Sequence, residues 1–232
     1  MGDTRSTAGS GGEEGPGCDL DLVLGASVSC REGGFGELLD LVLDPAKRCV
    51  THLVVQSDQQ HYVGPRLVPL SLARPDDEGG GLLLDCTLRQ FGEMSSVREF
   101  APAPLSAPPG EDPSWDVGKV DVLAPMAPSS LDAGSPSYLI DSTVVYDRVP
   151  KHEIELGRTS PVHSSDGHHL GHVTAVAVDG RGLLTTLVFE HRHLWTETRI
   201  EVPAAAIDQI ETDLITLKLT KREARKPSAA DS

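Results

Sequence analysis

The chain has 232 residues, of which 38% are hydrophobic and 4% aromatic, and its formal net charge at pH 7 is −15. This length can form one large domain or two of ordinary size, with cores of Val, Leu, Ile and Ala. The acidic charge argues against a nucleic-acid binder, because phosphate contacts need clustered Lys and Arg. No stretch approaches the ~20 apolar residues that cross a bilayer, so no membrane span is expected.

The first 18 residues are rich in Gly, Ser and Glu and predict a disordered leader. They lack the basic start and apolar middle of a signal peptide, which favours a cytoplasmic protein. The Gly/Ala/Pro/Asp-rich composition favours a bacterial source. The four cysteines show no C-x-x-C spacing and are predicted to be reduced, buried thiols: Cys18, Cys30, Cys49 and Cys86.

One ten-residue phrase occurs twice, as "FGELLDLVLD" at 35–44 and as "LGHVTAVAVD" at 170–179. Three further stretches match in the same order: 49–56 with 183–190, 66–73 with 198–207, and 84–89 with 215–220. The spacing changes only in loops, by one residue after Asp44 and by three in "RPDDEGGG". Because order and spacing are otherwise kept, we predict a tandem duplication.

The repeated unit has the pattern of β-strands. Apolar and polar residues alternate in "TRIEV" and in "DLITLKLT", which is typical of half-buried strands, and Pro69 and Pro203 each end a strand. No long helical periodicity is present. Five or six short strands in about 75 residues are most simply accommodated by a small barrel.

A proline-rich stretch separates the two copies, since nine of the 17 prolines lie between residues 101 and 150. Such a stretch is expected to be a mobile linker rather than a helix or a central strand. We therefore predict a leader at 1–18, a divergent barrel at 19–100, a linker at 101–145, a second barrel at 146–224 and a tail at 225–232.

The second copy contains the motifs Asp166-Gly167, Leu170-Gly171-His172-Val173, Asp179 and Ile200-Glu201-Val202-Pro203. In these motifs it resembles the PRC-barrel family, named for the cytoplasmic domain of the photosynthetic reaction-centre H subunit. The first copy is divergent, with Glu32-Gly33 in place of Asp-Gly and Leu38 in place of Val, and it keeps the proline at 69. The resemblance implies a mainly β fold of two barrels in tandem. It implies no catalytic apparatus and no cofactor.

Six of the nine histidines lie within 31 residues: His163, His168, His169, His172, His191 and His193. Clustered imidazoles can bind zinc or a similar metal, and the weak candidates for ligands are His169, His172, His191 and His193. No cysteine or carboxylate accompanies them at metal-site spacing, and turns and outer faces carry polar residues in any case.

The two tryptophans are the candidate interaction residues. Trp115, in the acidic proline-rich linker, either packs on its own barrel, which we favour, or anchors a partner. Trp195 is expected at the lip or in the interior of the second barrel.

These observations predict a non-enzymatic protein-interaction or adaptor module, with contact between its barrels or within a homodimer. The alternatives are a metal- or ligand-responsive sensor that uses the histidines and, by family analogy alone, a ribosome-assembly accessory.

A last expectation concerns the apolar strands of the repeated phrase. In 38–43, Leu39, Leu41 and Leu43 alternate with Leu38 and Val42, so both faces are apolar and the second face must be covered. The sister barrel is the predicted cover, because the linker holds it at high effective concentration.

Overall fold

The computed structural model describes residues 19–58, 64–76, 81–102, 115–123, 143–193 and 196–224. In these ranges the chain is mainly β, as predicted, and helices are few and short. None of the described helices is long and apolar enough to cross a membrane.

The first repeat comprises β1 (Leu20–Val23), β2 (Ser27–Cys30), β3 (Gly33–Asp44), β4 (Cys49–Ser57), β5 (Arg66–Pro69), a 3-10 turn (Leu70–Leu72), β6 (Ala73–Pro75), β7 (Leu82–Leu84) and α1 (Leu88–Glu93). The middle sheet comprises β8 (Arg98–Pro102), β9 (Trp115–Leu123) and β10 (Thr143–Pro150). The second repeat comprises β11 (Ile154–Gly157), β12 (Pro161–His163), β13 (His169–Val178), β14 (Leu184–His193), β15 (Thr196–Pro203), a 3-10 turn (Ala204–Ala206), β16 (Ile207–Glu211), β17 (Leu214–Leu217) and α2 (Lys221–Ala224).

Both repeats have the same strand order. It is β5-β4-β3-β2-β7-β6 in the first sheet and β15-β14-β13-β12-β17-β16 in the second. In each repeat one pair is parallel, β2 with β7 and β12 with β17, and the other pairs on this path are antiparallel. The predicted identity of strand order is therefore confirmed.

The register corrects the alignment of the last strand. Val28 pairs with Leu82 and Val162 with Ile215, so Leu82 corresponds to Ile215, and the predicted match of 84–89 with 215–220 is wrong by two residues. The corrected register also aligns two capping boxes that the sequence analysis missed. Thr87 begins α1 with Gln90 as its reciprocal partner, and Thr220 and Glu223 exchange the same bonds before α2.

The glycine of the repeated phrase is required by close strand packing. A Cβ atom at Gly36 would collide with the carbonyl oxygen of Gln56 on β4, and one at Gly171 would collide with that of Glu190 on β14. The backbone of the neighbouring strand thus occupies the space of a side chain, which only glycine permits.

The two repeats exchange a strand. β1 pairs antiparallel with β13 of the second repeat, from Leu20 opposite Val178 to Val23 opposite Ala175. β11 pairs in the same manner with β3 of the first repeat, from Ile154 opposite Leu43 to Gly157 opposite Asp40. Each sheet of seven strands therefore contains one strand from the other repeat. The predicted units 19–100 and 146–224 are joined by backbone pairing as well as by the chain between them.

An approximate two-fold axis relates the repeats, and it passes beside an isolated bridge between Cys49 and Leu183. The Val50 N–H donates to the Gly182 carbonyl at 2.8 Å, and the Leu184 N–H donates to the Arg48 carbonyl at 2.9 Å. Val50 and Leu184 occupy the same position in the two repeats, because each pairs with the equivalent residue of β3 or β13. The two bonds are thus images of one another.

One hydrophobic core extends across both repeats. It contains Leu22 and Leu38 as well as Leu156 and Val173, none of which is exposed to solvent. A second, smaller cluster lies on the other face of β3 and β4 and consists of Val42, Val54, Leu67, Val97 and Val149, with Leu39 and Trp115 packed against it.

The element that covers this second face is not the one that was predicted. Val149 and Trp115 belong to the middle sheet, so that sheet, rather than the sister repeat, covers Val42. The predicted alternation of side chains along β3 also changes, because β-bulges interrupt it between Leu38 and Asp40 and again before Leu43. Each bulge adds a residue and resets the alternation of faces.

The stretch 101–145, predicted as a linker, contains β9 and parts of β8 and β10. β10 lies in the centre of this sheet, between β8 and β9. The prolines are compatible with it because Pro102 and Pro150 end their strands, where no further ladder hydrogen bond is needed.

Strand exchange predicts how the second repeat behaves alone. A chain of residues 150–224 lacks β1, so its β13 has an unpaired edge, and β11 of a second copy can fill that edge. We expect a symmetric homodimer in sedimentation equilibrium, and a 1:1 complex when the fragment is refolded together with residues 19–100. A soluble, folded monomer of 150–224 would contradict the exchange.

Candidate functional site

Histidines from three adjacent strands of the second repeat meet on one surface, which we call the histidine patch: His163 of β12, His169 and His172 of β13, and His191 of β14. The register brings them together, since His163 lies opposite His169 across a bulge. On the other side of β13, His172 lies opposite Glu190 of β14, and His191 is the next residue of that strand.

Three rings of the patch, those of His163, His169 and His172, contact one another edge to face. The centroids of His163 and His169 are 5.7 Å apart, and those of His169 and His172 are 4.8 Å apart. Burial lowers the pKa of His169, and the neighbouring imidazoles of His172, His163 and His191 lower it further. The surroundings of His169 therefore favour its neutral ring, the form that accepts a hydrogen bond or a metal ion.

The structure brings together three of the four predicted metal ligands, His169, His172 and His191. The side chain of the fourth, His193, lies outside the described residues. His163, which was not among the predicted ligands, joins the patch instead. Among the described side chains, no group of three or more His, Cys, Asp or Glu residues has an arrangement that could hold a metal ion.

The two predicted interaction residues have different outcomes. Trp115 is half-buried against the small cluster on β3 and β4, with the Arg148 guanidinium 4.9 Å from its ring centroid. This cation–π contact and the packing place it on its own chain. Trp195 lies outside the described residues.

The described cysteines are free thiols, and Cys30 and Cys86 are buried while Cys49 is half-buried. Burial is the first cause that raises the pKa of each of these thiols. They are therefore protonated near neutral pH and poor nucleophiles. Cys18 lies outside the described residues.

A polar cluster that the sequence analysis missed joins the chain after β10 to β4. The Thr51 hydroxyl lies 2.6 Å from the Glu153 carboxylate and 3.0 Å from the Nδ1 atom of His52. Burial lowers the pKa of His52, against the opposite effect of Glu153. Thr51 and Glu153 are 102 residues apart, so no local sequence signal could have predicted this contact.

No protein-family model matches the chain, and no curated protein matches it either. The candidate sites therefore rest on the geometry described above.

The histidine patch predicts a pH dependence of stability. The pKa of His169 in the folded protein lies below its usual 6.5, so below about pH 6.5 the unfolded chain binds the proton more readily. Stability is fully present above this pH and falls on acidification towards the folded-state pKa. We expect His169→Gln to lose less stability than the wild type between pH 7.5 and pH 5, measured by urea unfolding.

His168→Gln is the matched control, because His168 is exposed like His169 but makes no ring contact with the patch among those described. Equal pH profiles for His169→Gln and the wild type would contradict the prediction.

Proposed function

We propose that the protein is a non-enzymatic protein-interaction module built from two PRC-like barrels, and that a partner binds at the outer edge of β15. The observation that supports this proposal is an asymmetry between the two repeats. Their sheets have the same strand order, but their outer edges differ in the described part of the chain.

In the first repeat, the outer edge of β5 is covered by the chain that enters the middle sheet. The Leu67 N–H donates to the Ser95 carbonyl at 3.0 Å, and the Val97 N–H donates to the Pro65 carbonyl at 3.1 Å. An isolated bridge joins Arg66 to Ser96 at the same point. The edge of this sheet is thus closed by backbone hydrogen bonds within the protein.

In the second repeat, β15 is the terminal strand and pairs with β14 from Thr196 to Pro203. The described residues provide no counterpart of Ser95–Val97 on its other side. By equivalence with Leu67 and Pro65, the backbone of Glu201 and Arg199 faces outward. An unpaired edge of this length is a template for a partner strand.

The charged side chains on β15 make this edge better suited to a different partner than to a second copy of the chain. Arg199 and Glu201 form an exposed ion pair at 3.1 Å, on the side chains that flank the outward backbone groups. Charged residues on an edge strand disfavour pairing between copies of the same chain. A partner strand of complementary charge can satisfy both side chains.

The face beside this edge is more polar than its counterpart in the first repeat. The positions of Leu39, Val42, Val54 and Leu67 in the first repeat are occupied in the second by Thr174, Ala177, Val188 and Glu201. None of these four belongs to a hydrophobic cluster of the described residues, although Val188 is buried. A more polar face is compatible with a non-obligate contact, whose interface is about as polar as the rest of the surface.

Arg199→Pro tests the proposal directly. Proline removes the outward N–H of β15, and the equivalent position of the first repeat already carries Pro65, so the fold accommodates it. The exposed ion pair that is lost contributes only about 0–1 kcal/mol. We expect capture of partners from the native host to fall about fivefold to tenfold, which corresponds to one hydrogen bond, with little change in melting temperature.

Arg199→Gln is the control for charge and is expected to retain most of the binding. Each captured protein is then purified and titrated against the three forms by calorimetry. Undiminished binding of every partner by Arg199→Pro would show that the edge of β15 is not the site.

A metal- or ligand-responsive sensor is the second candidate, and the close packing of His163, His169 and His172 favours it. Under the interaction proposal, melting temperatures in EDTA and in stoichiometric zinc are expected to be equal. A rise of many degrees with zinc, lost in the double variant His169→Ala/His172→Ala, would favour the sensor instead, because a ligand of the native state stabilises it by mass action.

A further inference from the structure

Arg48 and Gly182 occupy equivalent positions beside the two-fold axis. Each has a positive φ angle, 54° and 82° respectively. Each accepts an amide hydrogen bond from the other repeat, Arg48 from Leu184 and Gly182 from Val50. The backbones of Arg48 and Gly182 therefore make equivalent contacts. The two positions differ because Arg48 carries a guanidinium side chain and Gly182 carries no side chain.

The Arg48 side chain reaches into the second repeat and binds three backbone carbonyls. Its Nη1 atom lies 3.1 Å from the Ala204 oxygen, and its Nη2 atom lies 3.1 Å from that of Ile207 and 3.3 Å from that of Asp208. These carbonyls belong to the 3-10 turn after β15 and to the start of β16. They form a receptor for a planar cation with several donors.

The equivalent carbonyls of the first repeat belong to Leu70 and Ala73, because Pro69 and Pro203 precede the two 3-10 turns at the same place. Asp208 lies in a β-bulge of the second repeat and has no counterpart in the first, where Arg74 pairs directly with Leu83. Leu70, Ala73 and Arg74 line a cavity of about 520 Å³, and Gly182 lines it from the other repeat. An added Cβ at Gly182 would lie next to Leu70 and Cys49 of this region, and 2.7 Å from the carbonyl oxygen of Val50, so the backbone leaves no room for a side chain here. The cavity thus lies where the counterpart of the Arg48 side chain would be.

One acidic and two basic side chains line the cavity, Asp179, Arg74 and Arg181. Asp179 lines it and holds its own turn through Oδ1, which accepts from the amides of Arg181 and Leu183. Arg74 also lines it, but its guanidinium lies 4.0 Å from the Asp85 carboxylate. The pKa of the Cys49 thiol on the cavity wall is raised by burial and next by the negative charges of Asp179 and Asp44.

We propose that this cavity binds an alkylguanidinium group supplied by another molecule, held by the backbone carbonyls of Leu70 and Ala73 as Arg48 is held by those of Ala204 and Ile207. The source is either a free small molecule or the arginine side chain of a partner. The guanidinium site itself does not depend on the proposed function at β15, and only the second source does.

The first experiment titrates the wild-type chain with N-ethylguanidinium, with N-ethylurea as the neutral isostere and inorganic phosphate as the anion. We expect one N-ethylguanidinium per chain in calorimetry, and amide shift changes in NMR confined to residues 70–75 and 179–183. N-ethylurea and phosphate are expected to cause neither. No saturable binding of N-ethylguanidinium, or equal binding of N-ethylurea, would overturn the proposal, as would phosphate binding at these amides.

The second experiment uses the internal symmetry. Arg48→Gly reproduces the arrangement at Gly182 and is expected to raise the stoichiometry from one N-ethylguanidinium to two. Binding by this variant alone, without binding by the wild type, would show that only the Arg48 receptor accepts a guanidinium and would overturn the proposal.

A pair of blocking variants keeps the test valid even if Arg48→Gly does not fold. Ser71→Tyr fills the cavity from an exposed position on its wall, and Ala205→Tyr places the same side chain at the exposed equivalent position beside Arg48. We expect at least about a tenfold loss of N-ethylguanidinium affinity in Ser71→Tyr and none in Ala205→Tyr. Unchanged affinity in Ser71→Tyr would overturn the proposal.

A third comparison distinguishes the sources. A short neutral peptide with one arginine and its lysine analogue are titrated beside agmatine, a free alkylguanidinium. Tighter binding of the arginine peptide than of agmatine assigns the site to a partner's side chain, and the reverse assigns it to a small molecule. Both results support a guanidinium site, whereas equal binding of the lysine peptide and the arginine peptide would contradict it. The Arg199→Pro experiment is unaffected by any of these outcomes.

Discussion

The exchange of one strand between the repeats is the constraint on which the rest of the structure depends. β1 completes the second sheet and β11 completes the first, so neither sheet is whole without the other repeat. The core is consequently shared, with Leu22 and Leu156 at equivalent positions in one cluster. Pairing between Cys49 and Leu183 then holds the two repeats about a common axis. Their relative placement is thus set by backbone hydrogen bonds.

Because the two repeats share one fold, we expect functional sites at the positions where they differ. Three differences stand out among the described residues: the edge of β5 is covered whereas β15 has no neighbour on that side, Arg48 corresponds to Gly182, and a cluster of four histidines is found in the second repeat alone. In the first two cases, the arrangement in one repeat is the basis of the proposal for the other. Residues 95–97 pair with the edge of β5, and the Arg48 guanidinium is bound by carbonyls of the second repeat.

The middle sheet explains why the two copies could diverge. It packs Trp115 and Val149 on the apolar face of the first repeat, which therefore keeps Val42 and Val54 at positions shielded from solvent. The equivalent face of the second repeat carries Thr174 and Ala177, and among the described residues no second cluster forms on it. The larger apolar contact outside the shared core thus belongs to the first repeat.

The sequence alone determined the mainly β class and the shared strand order, because alternating apolar residues, Gly36 and Gly171, and the two strand-ending prolines are local signals repeated at fixed spacing. It also located the histidine patch approximately. It could not determine the exchange of β1 and β11, since a four-residue strand can pair within its own repeat or with the other one, and only the packing of the shared core decides. The bulges in β3, the contact of Thr51 with Glu153 and the receptor around Arg48 likewise join residues far apart in the chain. Their partners are chosen by tertiary geometry, which brings the carbonyls of one repeat within reach of the side chains of the other.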